Sequence, residues 1–200
     1  MDKVWTEVKP LYLEEMQKYN YDKMEEQLQF LWDYLRMERT DTFIFVIIPN
    51  LLDMHWSGTW STYENYGYIV EHRQVHNFNA HEYLHSIINP LIEKHYGRQR
   101  RKLTKYYQAE KKLPYAQSYQ DPKAYAWESF VRALDLRLHV LQENDPETTK
   151  RCEDRVEYLS KEGLGLVRPF YLLLKEYELT DGSLDHFIPI MLEKVPEYPG

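Results

Sequence analysis

Cysteine is almost missing from this chain of 200 residues: Cys152 stands alone, so no disulfide can form within it. One thiol leaves the redox compartment open. Glycine is scarce, at 7 residues, while 15% of residues are aromatic, with 18 Tyr and 5 Trp; that balance favours a helix-rich globule. No apolar run approaches the ~18 residues that span a bilayer. The opening residues, Met1-Asp2-Lys3-Val4-Trp5, lack the hydrophobic region of a signal peptide. The expectation is a soluble protein with no membrane span, either cytoplasmic or the mature part of an exported one. Positive charge is also short: the formal net charge is −7, which disfavours nucleic acid as a main partner, because neutralising phosphates needs a dense basic surface. The one basic run, Arg98-Gln99-Arg100-Arg101-Lys102 with Lys105, Lys111 and Lys112, reads as a solvated helix face. A site for an acidic peptide or a product carboxylate is the alternative reading. There is no internal repeat and no low-complexity tract.

At this length one sizeable core is expected, hence a single domain over 1–200. Residues 3–37 read as two helices divided near Asn20-Tyr21-Asp22, the second with Met24, Leu28, Leu31 and Leu35 on one stripe. The β-branched and aromatic run Thr42–Ile48, closed by Pro49-Asn50, predicts a buried strand, and Tyr66–Val70 a shorter one. Between them, 53–65 reads as a loop or ragged hairpin. Trp56, Trp60 and Tyr63 in it either pack under the loop or line a cleft. Beyond the middle of the chain the signals are helical. A basic helix covers 98–112, and Asp121-Pro122 and Asp145-Pro146 each combine an N-cap with proline at the first helical position. Segments 168–178 and 183–193 complete the set. The expected class is therefore α+β and helix-rich. Helices, a small sheet and the motif helix described next occupy 1–97, and a helical part follows over 98–200.

The motif is His81-Glu82-Tyr83-Leu84-His85. Histidines four apart project from one helix face, so two imidazoles can meet one Zn²⁺ at about 2.0 to 2.1 Å while the neighbouring carboxylate handles the proton of a water. The helix around it carries an apolar stripe of Val75, Phe78, Leu84, Ile87, Ile88 and Leu91. Asn77 or Asn79 can cap its start, Asn89-Pro90 can kink it, and Gly97 is a plausible stop.

A catalytic zinc takes a third protein ligand. The extended pattern HExxHxxGxxH is absent, since Ile88 occupies its glycine position. Glu128 is the better candidate, on a helix whose apolar stripe is Ala124, Trp127, Val131, Leu134, Leu138 and Leu141. A carboxylate beside a buried stripe is costly unless paired or metal-bound. Arg132, at i+4, offers the other explanation, a helix ion pair; if Glu128 does ligate, Arg132 and Asp135 can orient it or a ligand histidine.

HEYLHSIINP followed by WESFVRAL resembles the gluzincin class of zinc metallopeptidases, with 42 residues between His85 and Glu128. More narrowly, the order of strand, HExxH with Asn-Pro, ExxxRA helix and terminal FIPIML is similar to a bacterial family of largely uncharacterised gluzincin-like peptidases. The likeness covers about 42–195, and its specific parts are the HExxH and ExxxRA segments. It implies a zincin-like fold with the sheet beside the HExxH helix, and Zn²⁺ on His81, His85 and Glu128. It also implies Glu82 as general base, and a peptide or protein substrate. The alternative is a catalytically silent zincin-like metal-binding domain that holds a peptide or protein partner. A di-iron carboxylate bundle would need a second ExxH, which the chain lacks. For an oxyanion donor, Tyr171, Tyr125 and Tyr115 are candidates, and His76, His95, His139 and His186 are read as structural or solvent-facing.

Overall fold

In a computed structural model of the protein, the described residues are 2–38, 44–50, 58–63, 66–72 and 80–198, the three short middle segments by backbone alone. Seven α-helices dominate. They are α1 (Asp2–Met16), α2 (Tyr21–Leu35), α3 (Ala80–Glu110), α4 (Pro122–Glu143), α5 (Pro146–Lys161), α6 (Val167–Tyr177) and α7 (Leu184–Lys194). Two compact units divide the chain: 1–30 with 38–83, and 31–37 with 84–200. The divisions fall inside α2 and inside the first turns of α3, so each of these helices is continuous through a boundary.

The first unit holds α1, most of α2 and three strands, β1 (Ile44–Asn50), β2 (Gly58–Tyr63) and β3 (Tyr66–His72), in the order β1-β3-β2. β1 runs parallel to β3, with Ile44 opposite Tyr66, and β2 runs antiparallel to it, with Tyr63 opposite Tyr66. Asn20 starts α2 by accepting at Oδ1 from the Lys23 amide at 3.0 Å, the N-cap role that its short amide side chain suits.

Helices are the regular elements of the second unit, which has no strand among its described residues. Asp121 Oδ1 accepts from the amides of Lys123 at 2.7 Å and Ala124 at 3.0 Å, and Pro122 occupies the first turn of α4. Asp145 does the same for α5, accepting from Glu147 and Thr148, each at 2.9 Å. These caps satisfy amides that the first helical turn leaves without carbonyl partners. Phe130, Val131, Leu134, Leu166, Phe170, Leu174 and Ile188 are fully buried and form the apolar interior.

The expected class, α+β and helix-rich, zincin-like with a small sheet beside the HExxH helix and a helical C-terminal half, is corrected by this architecture. The protein is helix-rich, and the body into which α3 runs contains no strand among its described residues. The physical reason lies partly in α3 itself. It continues for 31 residues, through both Pro90 and Gly97, where the sequence suggested a kink and a stop. Pro90 is exposed, so its ring lies on the solvent side of the helix. Gly97 has open space where a Cβ would stand and no positive φ, so nothing forces the chain to turn there. Ile88, Ile92 and Leu103 are fully buried on this helix and hold it to the core across those residues. The stripe proposed for α4 is broader than its spacing suggests. Tyr125, Ala126, Phe130 and Ala133 are buried with Val131 and Leu134, whereas Leu141 is 37% exposed. Thr42, Phe43, Trp56, Val75, His76, Asn77, Phe78 and Asn79 lie outside the described residues. Among the described residues no helix is long and apolar enough to cross a membrane.

Candidate metal centre

Helix α3 begins at Ala80, so the HExxH residues occupy its first turns. One turn of α-helix brings residue i over residue i+4, which stacks His81 and His85 on one face. Glu82 is buried between them in sequence, at 8% exposure. Tyr83 and Leu84 are the buried anchors of this turn, with exposures of 1% and 0%. Glu128 comes from the second turn of α4 and is itself 8% exposed. The ammonium of Lys123 on α4 also meets Glu93 of α3, in an exposed ion pair at 2.7 Å.

One ligand atom from each of His81, His85 and Glu128 lies within 4.8 Å of the others. His85 Nε2 stands 3.3 Å from Glu128 Oε2. An ion held tetrahedrally at about 2.0 to 2.1 Å keeps its donors about 3.3 Å apart, so this pair already has a zinc-like separation. Two imidazole nitrogens and a carboxylate oxygen are also the donor set that zinc accepts in catalytic sites. The residues therefore fit the ion.

Around the three donors sit groups that fix their orientation. Asn89 Oδ1 lies 3.1 Å from His85 Nδ1. A carboxamide oxygen only accepts, so the contact places the proton on Nδ1 and leaves the Nε2 lone pair facing Glu128. The two oxygens of the Glu128 carboxylate have, among others, different neighbours: Oε2 faces His85, and Oε1 lies 2.5 Å from Arg132 Nε. Nε itself has no hydrogen-bond partner, whereas the Arg132 guanidinium as a whole interacts with Glu128 and Tyr119 by charge and by side-chain hydrogen bonds. The two sequence readings of Glu128, helix ion pair and metal ligand, thus use different oxygens of the same carboxylate. Asp135, one turn further, feels Arg132 and His139 as attractive charges and Glu128 as a repulsive one. Its burial outweighs these and raises its carboxyl from the ordinary 3.8 to about 6.

Tyr119 is a residue that sequence reasoning missed. Its phenol is pushed up by burial first and then by the Glu128 carboxylate against it, with Arg132 opposing. The Tyr107 hydroxyl holds the Tyr119 carbonyl at 2.9 Å, and the Arg132 guanidinium lies 5.6 Å from the Tyr115 ring centroid, so the turn carrying Tyr119 is tied to both α3 and α4. With 18 tyrosines in the chain, no pattern distinguishes this one.

The tyrosines proposed from sequence as oxyanion donors have other partners. Tyr171 accepts from Arg137 Nη1 at 3.2 Å, Tyr125 donates to Glu110 at 2.6 Å, and Tyr115 accepts from Arg155 Nη2 at 3.1 Å. His139 is exposed beside Arg151, and His186 is exposed beside Ser183. His95 is held below its ordinary value by partial burial and then by Lys94 and Arg98. In the basic run, Arg98, Arg100 and Arg101 are exposed. Lys102 instead donates to the carbonyls of Glu193 and Val195, at 2.6 and 2.7 Å, where its charge meets the negative end of α7.

Comparison of the chain with protein-family models, with curated proteins and with solved structures gives no match. Function must be argued from the site.

Proposed function

We propose that the chain is a zinc-dependent peptidase of the gluzincin type, hydrolysing peptide bonds. The observation that supports this reading most strongly is the convergence of ligand atoms from His81, His85 and Glu128 within 4.8 Å, next to a buried Glu82. A bound Zn²⁺ would supply a Lewis acid that polarises a scissile carbonyl and makes water acidic near neutral pH. The chain's own residues do the remaining work. Asn89 keeps the His85 proton on Nδ1, and Arg132 with Tyr119 holds Glu128 in one orientation. The Glu82 carboxylate receives a proton from the attacking water and returns it to the departing amine. Its place one residue after His81 puts it at the edge of the ligand face without making it a third donor of α3. Peptide or protein is the substrate class that this chemistry and the family resemblance suggest.

Glu82→Gln separates this reading from a silent metal-binding domain, because it removes the base while leaving the three proposed ligands in place. On a broad peptide library, turnover is expected to fall by about 10²- to 10⁴-fold, the usual contribution of a positioned general base, with bound zinc unchanged. Negligible and equal turnover in both proteins would contradict peptidase activity.

A further inference from the structure

At the C-terminal end of α3 a second buried carboxylate is arranged differently. Glu110 is 5% exposed. Its Oε2 accepts the Tyr125 hydroxyl at 2.6 Å and the Gly165 amide at 2.8 Å. Both are neutral donors on one oxygen. Oε1 receives no hydrogen bond from any described residue, yet it is not among the atoms sealed from solvent. A Cβ at Gly165 would stand 2.1 Å from Oε1, so a glycine is needed there for the carboxylate to keep its place. A buried carboxylate with no cation costs free energy that two neutral donors only partly offset.

Glu110 lines a groove of about 740 Å³ together with Tyr106, Pro169, Leu172, Leu173 and Tyr198. That volume lies within the usual range for small-molecule sites. The other acids on its wall already have cations: Glu157 has Arg168 at 2.9 Å, Glu176 has Lys194 at 2.6 Å, and Glu197 has Lys105 at 2.8 Å. Lys161, also on the wall, is exposed to water. The Ser160 hydroxyl, on the same wall, is buried without a hydrogen-bond partner. Glu110 is thus the acid of this wall that is buried and has no cation among the described residues.

The geometry points to a binding site for a primary amine with an apolar body: the ammonium sits on Glu110 Oε1, and the body packs on Tyr106, Pro169, Leu172 and Tyr198. Three chemical arguments select this class. A guanidinium fork wants both carboxylate oxygens, and Oε2 is occupied. A hard metal ion needs several oxygen ligands, and the three other carboxylates of the wall are already paired with Arg168, Lys194 and Lys105. An ammonium is a compact point charge that one open oxygen can hold, and aliphatic and aromatic walls suit a hydrocarbon body. None of the residues lining this groove is His81, Glu82, His85 or Glu128.

Phenethylamine and its neutral analogue 2-phenylethanol test this, titrated into the full chain by calorimetry near neutral pH. The ammonium is expected to bind at least about tenfold more tightly, the scale of one charge-assisted hydrogen bond. In Glu110→Gln, which keeps an acceptor for Tyr125 and Gly165 but loses the charge, that preference should vanish. Leu172→Lys, at a position already 50% exposed, leaves the core untouched and sets a cation on the wall; it should weaken phenethylamine at least about tenfold. Equal binding of amine and alcohol by the unaltered protein, a preference surviving in Glu110→Gln, or undiminished amine binding in Leu172→Lys would each overturn the assignment.

Discussion

Two buried ionic clusters in this protein use the same residue types to opposite effect. In the first, Arg137 of α4 faces Glu178 through two hydrogen bonds, Nε to Oε1 at 2.8 Å and Nη2 to Oε2 at 2.6 Å, and its third nitrogen reaches the Tyr171 hydroxyl at 3.2 Å. Tyr34 of α2 also donates to Glu178 Oε1, at 3.1 Å, and burial followed by the Glu178 charge pushes its phenol up. The Tyr177 hydroxyl then donates to the carbonyls of Tyr34 and Leu35 at 2.8 and 3.0 Å. Both oxygens of Glu178 are filled by protein donors. In the second cluster, two helix turns earlier on α4, Glu128 has Arg132 on one oxygen while the other faces a ring nitrogen across 3.3 Å, with a second histidine beside it. The first cluster is complete as a protein fold and fixes the end of α2 to α6. The second brings one ligand atom from each of His81, His85 and Glu128 within 4.8 Å of the others, a grouping that could hold a metal ion.

Variants that act on one cluster and spare the other sharpen this contrast. Arg137→Ala should destabilise the protein by about 3–5 kcal/mol in urea unfolding, because it removes a buried guanidinium and strands the part-buried Glu178 carboxylate. Zinc affinity of the folded fraction should stay unchanged; a fall in affinity would mean that the two clusters are not separate. A smaller effect is expected from Asp135, and its sign depends on pH. The native carboxyl keeps its proton up to about pH 6, whereas in the unfolded chain it lets go near its ordinary 3.8. Between those values the native state binds more protons, so this group's contribution to stability falls as pH rises from about 4 to 6 and is flat above. Asp135→Asn should therefore equal the parent near pH 4 and exceed it above pH 6 by at most about 3 kcal/mol. A difference independent of pH would refute the assignment. The smallest change is expected from Asn89→Ala. Removing the acceptor that orients His85 should weaken zinc by about 10- to 100-fold in competition with a chelator, with little effect on unfolding.

The parts of the molecule that sequence reveals are those governed by local chemistry. Asp121-Pro122 and Asp145-Pro146 mark helix starts because cap and proline act within four residues. His81 and His85 are legible for the same reason, since one helical turn stacks them. Glu128 was reachable through the cost of placing a carboxylate beside a buried stripe. The fold class was not legible: β-branched runs announced a sheet, but nothing local shows that α3 passes Pro90 and Gly97 unbroken into a helical body. Nor could pattern find Tyr119, whose role depends on the turn that carries it to Glu128, or Glu110, whose partners Tyr125 and Gly165 lie in other elements. Such contacts arise from packing between elements, which a one-dimensional period does not encode.

The most direct test of the central claim is metal content by plasma mass spectrometry, on protein purified without chelator and dialysed against trace zinc, for the parent chain and Glu128→Ala. The account predicts about one tightly held zinc per parent chain, and loss of that zinc in a variant whose circular dichroism is unchanged. No tight zinc in the parent, or equal zinc in the variant, would contradict it.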